Sequence, residues 1–111
     1  TITMGDSNFV LYEPANATLD DIWQYTVKQW GDKQAEEYIN GLFDTLERAS
    51  THDIPWRTIF QEVYLDAFFV KYKKHYLFFR ELEDGLVGVI SIIHERRDIV
   101  SVLEAESQQI N

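Results

Sequence analysis

Two stretches of helical periodicity lie end to end with only Gly31-Asp32 between them, and that spacing leaves the first half of the chain few ways to fold. From Leu19 to Trp30 the stripe is Leu19, Ile22, Trp23, Thr26, Val27 and Trp30, the i, i+3, i+4, i+7 pattern of one helix face. The second stripe is Ala35, Tyr38, Ile39, Leu42, Phe43, Leu46 and Ala49. Two helices with so short a connection must turn back on each other, so residues 18–49 are expected to form an antiparallel hairpin. Thr18 is the expected N-cap, with Asp20 and Asp21 in the first turn, where the positive end of the helix dipole favours them. Gly31 should end the first helix in a left-handed conformation and Asp32 should cap the second. Gly41 costs about 1 kcal/mol relative to Ala inside a helix, so a close approach of the first helix is expected there.

The segments outside the hairpin have a different texture. Asn8 to Tyr12 reads as a short strand stopped by Pro14, and Ser50 to Gln61 has no period and contains Pro55, so it reads as a connection. Beyond Glu62, β-branched and aromatic residues predict strands near 65–72, 75–82 and 86–94. Lys73-Lys74 would turn the first pair and Glu83-Asp84-Gly85 the second, with Gly85 at positive φ. On the second strand Tyr76, Phe78, Arg80 and Leu82 alternate with Leu77, Phe79 and Glu81. On the third, Val87, Val89, Ser91 and Ile93 alternate with Leu86, Gly88, Ile90, Ile92 and His94. Both sheet faces are apolar, and a two-helix hairpin covers only one. The other must be covered by the tail with Ile99, Val100, Val102 and Leu103, by a second copy or by a partner.

Composition narrows the classes. The chain has 111 residues, one domain's worth, and 45% hydrophobic side chains, ample for a core. Segments 1–7 and 104–111 are expected to be flexible ends of that single domain. There is no cysteine, which excludes disulfides and thiolate-bound zinc, and the three histidines have no paired metal-ligand spacing. No apolar run nears the roughly 18 residues that span a bilayer, and no secretory leader pattern opens the chain, so a cytoplasmic protein is expected. Net charge is -9, which argues against direct nucleic-acid binding. The charge is uneven, however. Residues 1–62 carry four basic and eleven acidic side chains, whereas residues 63–98 carry six of each.

Two separated stretches then resemble one family. Leu19-Asp20-Asp21-Ile22-Trp23-Gln24-Tyr25-Thr26, followed by Trp30-Gly31, Gln34-Ala35-Glu36 and Tyr38, is similar to the helical hairpin of ParE members of the RelE/ParE toxins. His75-Tyr76-Leu77-Phe78-Phe79-Arg80, Asp84-Gly85, Val89-Ile90 and Ile93-His94-Glu95-Arg96-Arg97-Asp98 resemble that family's last two strands. The resemblance covers about residues 9–98. It implies an α+β fold: a short N-terminal strand, an antiparallel helical hairpin and an antiparallel three-stranded meander in one sheet.

The resemblance also implies a toxin of a bacterial type II toxin–antitoxin module, partnered by a cognate antitoxin. The ParE kind inhibits DNA gyrase without being a nuclease, and needs no cofactor. The RelE kind cleaves mRNA on the ribosome, and a non-toxic interaction protein on the same fold is a third reading. A homodimer or a hetero-oligomer with the antitoxin is compatible with the uncovered sheet face. The candidate partner-binding or toxicity residues are Lys71, Lys73, Lys74, His75, Arg80, His94, Arg96 and Arg97. His75 and His94 have a structural reading too, as hydrogen-bonded strand residues. Arg80 is expected either to pair with a hairpin carboxylate or to lie at the surface. Trp23, Tyr25, Trp30 and Tyr38, at helical spacing, are expected to pack the hairpin.

Overall fold

The computed structural model describes residues 8–58 and 67–110, with 107–110 described by backbone alone. β1 (Phe9–Leu11) leads into α1 (Glu13–Trp30) and α2 (Asp32–Ser50). β2 (Arg57–Thr58), β3 (Ala67–Tyr72), β4 (His75–Glu81), β5 (Val87–His94) and α3 (Ile99–Ile110) follow. Residues 1–7, and the first two of the strand expected from 65, lie outside the described residues.

The antiparallel meander is present as β3–β4–β5, but it is the middle of a larger mixed sheet ordered β1-β5-β4-β3-β2. β1 joins parallel to β5, and β2, unread in the aperiodic connection, adds two antiparallel residues to β3. The hairpin and β2–β4 together lie between β1 and β5 in the chain, the long connection that a parallel pair needs.

The helix boundaries correct the sequence reading. α1 starts at Glu13, because Pro14 sits in the first turn, where its missing N–H costs nothing and its fixed φ suits a helix. Tyr12, not Thr18, is the N-cap, and Thr18 is interior, donating its hydroxyl to the Pro14 carbonyl at 3.0 Å. Asp20 and Asp21 therefore lie in mid-helix. Gly31 serves both helices: its N–H donates to the Val27 carbonyl and its own carbonyl accepts from Ala35. Its φ of 94° with ψ of 171° is extended rather than left-handed helical, a region that only glycine enters without strain. Asp32 is thus the first residue of α2, not its cap.

Gly41 is explained by the sheet and not by α1. A Cβ there would collide with the Tyr72 hydroxyl of β3, whose ring packs edge-on against Tyr38 at 5.0 Å. Gly41→Val is expected to destabilise the fold by about 1–3 kcal/mol, the usual cost of overpacking, read as a lower urea midpoint. An unchanged midpoint would show that Tyr72 can leave its seat freely.

The two sheet faces carry two cores. Leu19, Ile22, Ile39, Leu42, Phe43 and Leu46 of the hairpin pack on Leu77, Phe79, Val87, Val89 and Ile92. On the other face Ala67, Phe78, Ile90 and Ile93 pack with Leu103 of α3. The expected alternation along β5 fails midway. Phe78 pairs with Ser91 while Phe79 pairs with Val89, so Ile90 is an extra residue, a β-bulge. The bulge turns Ser91 toward α3, where its hydroxyl donates to the Glu106 carboxylate at 2.6 Å, and returns Ile92 to the hairpin side. Asp98 caps α3 through the Ser101 N–H and hydroxyl, which hold its carboxyl below the usual range. The tail thus covers the second face in part, as the chain's pattern requires. Phe69 and Tyr76 remain half-buried there, with Arg57 and Lys71 over their rings.

Candidate functional site

A cleft of about 740 Å³ opens where the β3–β4 turn and the end of β5 meet the hairpin. One wall is Lys73, Lys74, His75, His94 and Arg96, three of them cations, and the opposite wall is Ile22, Tyr25, Thr26, Trp30, Gln34 and Tyr38, with Asp21 at the side. The fold makes this junction from local rules. The tight turn between β3 and β4 puts Lys73 at φ 50°, and the Glu95 N–H donates to the Lys74 carbonyl at 2.8 Å, tying the end of β5 to the turn. The His75–His94 register then places the two imidazoles on adjacent strands, edge to face with centroids 5.1 Å apart.

Tyr38 connects α2 to that pair, with 2.7 Å between its hydroxyl and His75 Nδ1. Burial, with Tyr72 beside it and Glu95 nearby, pushes the Tyr38 phenol up to about 12, against a smaller opposing effect of the Lys74 backbone N–H. Burial first, then the neighbouring His94, pushes His75 down to about 4, with Glu95 opposing. Both groups are therefore neutral at pH 7, and one hydrogen bond joins the phenol to Nδ1, its direction set by the imidazole tautomer. The Lys73 ammonium lies 5.5 Å from the ring centres of both Tyr38 and Tyr72. Lys73, Lys74 and Arg96 have no carboxylate within ion-pair reach among the described residues.

These shifts give a pH test. The unfolded state takes up a proton at His75 near pH 6.5, the folded state only near 4, so stability is full above 6.5 and falls as pH drops through that window. Glu95 and Asp98 are held below their ordinary values of 4.5 and 3.8, so their losses come at lower pH. His75→Gln is expected to flatten the fall in urea midpoint between about pH 6.5 and 5. A variant as pH-sensitive as the parent would assign the effect to another group.

The other candidate cations fall elsewhere. Lys71 faces the opposite side of the sheet, paired with Glu95 at 2.8 Å in an exposed ion pair of the kind worth little to stability. Arg80 lies on the α3 side too, its guanidinium 5.8 Å from the centre of the Tyr12 ring. That face is turned away from the hairpin that was to supply its carboxylate. Five strand residues, about 17 Å, also separate Arg80 from His75. Arg97 is exposed, donates its backbone N–H to the His94 carbonyl and is not in the cleft lining.

Sequence reasoning missed the aromatic half of the cleft. Trp30 is 71% exposed, Tyr25 65% and Trp23 38%, so they do not pack the hairpin as expected. Tyr25 carried a signal, since it stands about 100° from the Ile22–Thr26 stripe. Tyr38 carried none, because its position on the α2 stripe reads as core. Among the described residues, no group of three or more His, Asp or Glu side chains is placed to hold a metal ion, and no helix is long and apolar enough to cross a membrane.

Comparison with known proteins gives a family match over most of the chain. A family model described as "ParE toxin of type II toxin-antitoxin system, parDE" matches residues 10–99. A protein of Mycobacterium tuberculosis named Toxin ParE1 is 31% identical over 98 residues, covering 84% of this chain and 94% of the relative. Toxin ParE of Escherichia coli is 27% identical over 95 residues, covering 86% of this chain and 91% of the relative. Toxin ParE1 of Caulobacter vibrioides is 45% identical over a shorter stretch of 38 residues, covering 34% of this chain and 40% of the relative.

Proposed function

Because the chain belongs to the ParE toxin family of type II toxin–antitoxin systems, we propose that it acts in the cytoplasm by inhibiting DNA gyrase and is neutralised by a cognate antitoxin. In this reading it serves plasmid or locus maintenance, and is held as a hetero-oligomer with the antitoxin until that partner is lost. Its contact with the target runs through the cleft, with Lys73, Lys74, His94 and Arg96 as the contacting groups.

The observation that carries this choice of surface is the cluster of cations without ion-pair partners in a chain of net charge -9. Three such cations side by side at one cleft of an acidic protein make that cleft a complementary surface for an anionic partner. The hairpin's outer face, with Asp20, Glu36 and Glu37, presents the opposite sign.

The cleft also resembles a phosphodiester-cleaving arrangement in outline, with a Tyr–His pair beside two lysines and an arginine. The Tyr38–His75 pair itself is poorly matched to that chemistry. A general base or acid works best with a pKa near the operating pH, and His75 at about 4 and Tyr38 at about 12 lie on either side of it. A protein-binding toxin is the better reading, and a non-toxic binder on this fold is its competitor.

The deciding experiment is a supercoiling assay with purified gyrase and the full chain, run beside a cell-free translation assay. Inhibition of supercoiling with translation unaffected is the expected result. Translation arrest with cut mRNA would replace this reading by the ribonuclease one, and silence in both assays would leave the non-toxic binder.

A further inference from the structure

We propose that a second copy of this chain docks on the half of the far sheet face that α3 leaves open, laying its own α3 along β4, β3 and β2. The inference goes beyond the reading above and does not depend on it, because the cleft lies on the hairpin side of the sheet.

The shape of the far face defines its occupant. α3 packs along β5, with Leu103 in one cluster with Phe78, Ile90 and Ile93. β4, β3 and β2 follow β5 in the sheet, and there Phe69 and Tyr76 are half-buried while Arg57 and Lys71 are exposed. The face is therefore a step, with a helix on one half and open strands on the other. Three strands at about 4.8 Å spacing span about 10 Å, the diameter of one helix with its side chains. A two-fold axis parallel to the strands supplies such a helix. Each copy's α3 then fills the other's step, and the contact closes on itself.

The strand register supports this pairing. Arg57, Phe69, Phe78 and Ser91 form one row across β2, β3, β4 and β5. α3 is anchored on the same row by the Ser91–Glu106 hydrogen bond and by Leu103 beside Phe78. An axis along the strands preserves height, so the second copy's α3 meets this row with the same turn. The outer side of that turn is the exposed Ser101, Glu104 and Ala105. Small side chains at i and i+4 let the helix approach the Phe69 ring. Glu104 then meets Arg57, whose guanidinium lies 5.3 Å from the centre of that ring. Arg57 makes no ion pair within its own chain among the described residues. Net charge of -9 opposes association at long range, so the contact depends on this local match of sign. A nucleic-acid strand suits a face of rings and cations in general, but here Glu104 and Glu106 stand beside the step and repel its phosphates.

The test is sedimentation velocity of the full chain over a concentration series. A contact of this footprint belongs at the small end of specific interfaces, so the mass should rise from one chain to two between about 1 and 100 µM. Arg57→Glu and Glu104→Lys each set like charges against each other in both halves of the contact, and each should weaken association by about tenfold or more. Mixed together, the two variants should associate again, because both contacts of the mixed pair join opposite charges. Ala105→Arg should hold the copies apart by bulk, and Trp30→Ala, in the cleft, should change nothing. Thermal melts should match the parent, since the substituted positions are exposed. Ala105→Arg decides the question should either charge variant melt early.

A single-chain mass across the series would overturn the proposal. So would undiminished association in Ala105→Arg or in both charge variants, a mixture no more associated than its components, or a loss caused by Trp30→Ala.

Discussion

Phe79→Ala is expected to lower the unfolding free energy by about 3–5 kcal/mol, the range for deleting a buried aromatic side chain. A domain of this size has about 5–15 kcal/mol in total, so the variant should be marginal at room temperature. Phe79 is fully buried in β4. The Trp56 ring meets it edge-on at 5.0 Å, and Phe68 lies at 6.2 Å. Trp56 is in turn fixed by its indole N–H, which donates to the Ala49 carbonyl at 2.7 Å, and by His52 stacked on it at 4.1 Å. Removing Phe79 therefore opens a cavity between the sheet and the end of α2, and anchored neighbours fill such a cavity poorly. The measurement is a urea melt in which the midpoint falls and the slope is retained. Phe68→Ala, at a half-buried position, should cost less. A loss below about 1 kcal/mol at Phe79 would mean that this aromatic cluster is not part of the core.

Periodicity made the hairpin legible, because each helix face is long enough for its spacing to be unambiguous, and β-branched and aromatic texture between turn residues made the meander so. Leu42, Leu46 and Leu19 are all fully buried where their stripes put them. Local competition hid the rest. Pro14 is compatible with ending a strand or opening a helix, and only the position of α1 over β5 decides between them. Arg57-Thr58 is too short for any period, so β2 is visible only beside β3. The bulge at Ile90 leaves no mark in an unbroken apolar run, yet it decides which face Ser91 and Ile92 take. The cationic end of the sheet was legible as a charge asymmetry, and Lys73, Lys74, His75, His94 and Arg96 do converge. Alternation sets Arg80 on the face opposite His75, but which of the two faces lies under the hairpin, and so which cations line the cleft, is decided only by the sheet's orientation. Tyr38 and Trp30 belong to the site through tertiary placement alone.

Reversing the cleft's charge, as Lys73→Glu, Lys74→Glu and Arg96→Glu together, is expected to lower gyrase inhibition by about a hundredfold or more. Like charges brought together at an interface cost several kcal/mol, and each 1.4 kcal/mol is tenfold in affinity. The fold should survive, because all three side chains are exposed and none makes an ion pair among the described residues. Exposed substitutions of this kind usually change stability by no more than about 0.5 kcal/mol each. Arg97→Ala is the internal control: it follows Arg96 directly in the chain but does not line the cleft, so it should inhibit nearly as well as the parent. The contrast separates a cleft from a general basic ending, since adjacent arginines of equal charge are predicted to behave differently. A dose–response of supercoiling inhibition for the parent, the triple variant and Arg97→Ala, with thermal melts alongside, reads both quantities. Equal losses at Arg96 and Arg97 singly would make the strand ending, rather than the cleft, the contacting surface. Full inhibition by the triple variant would move the contact away from this end of the sheet, leaving the Phe69–Tyr76 face as the next surface to test.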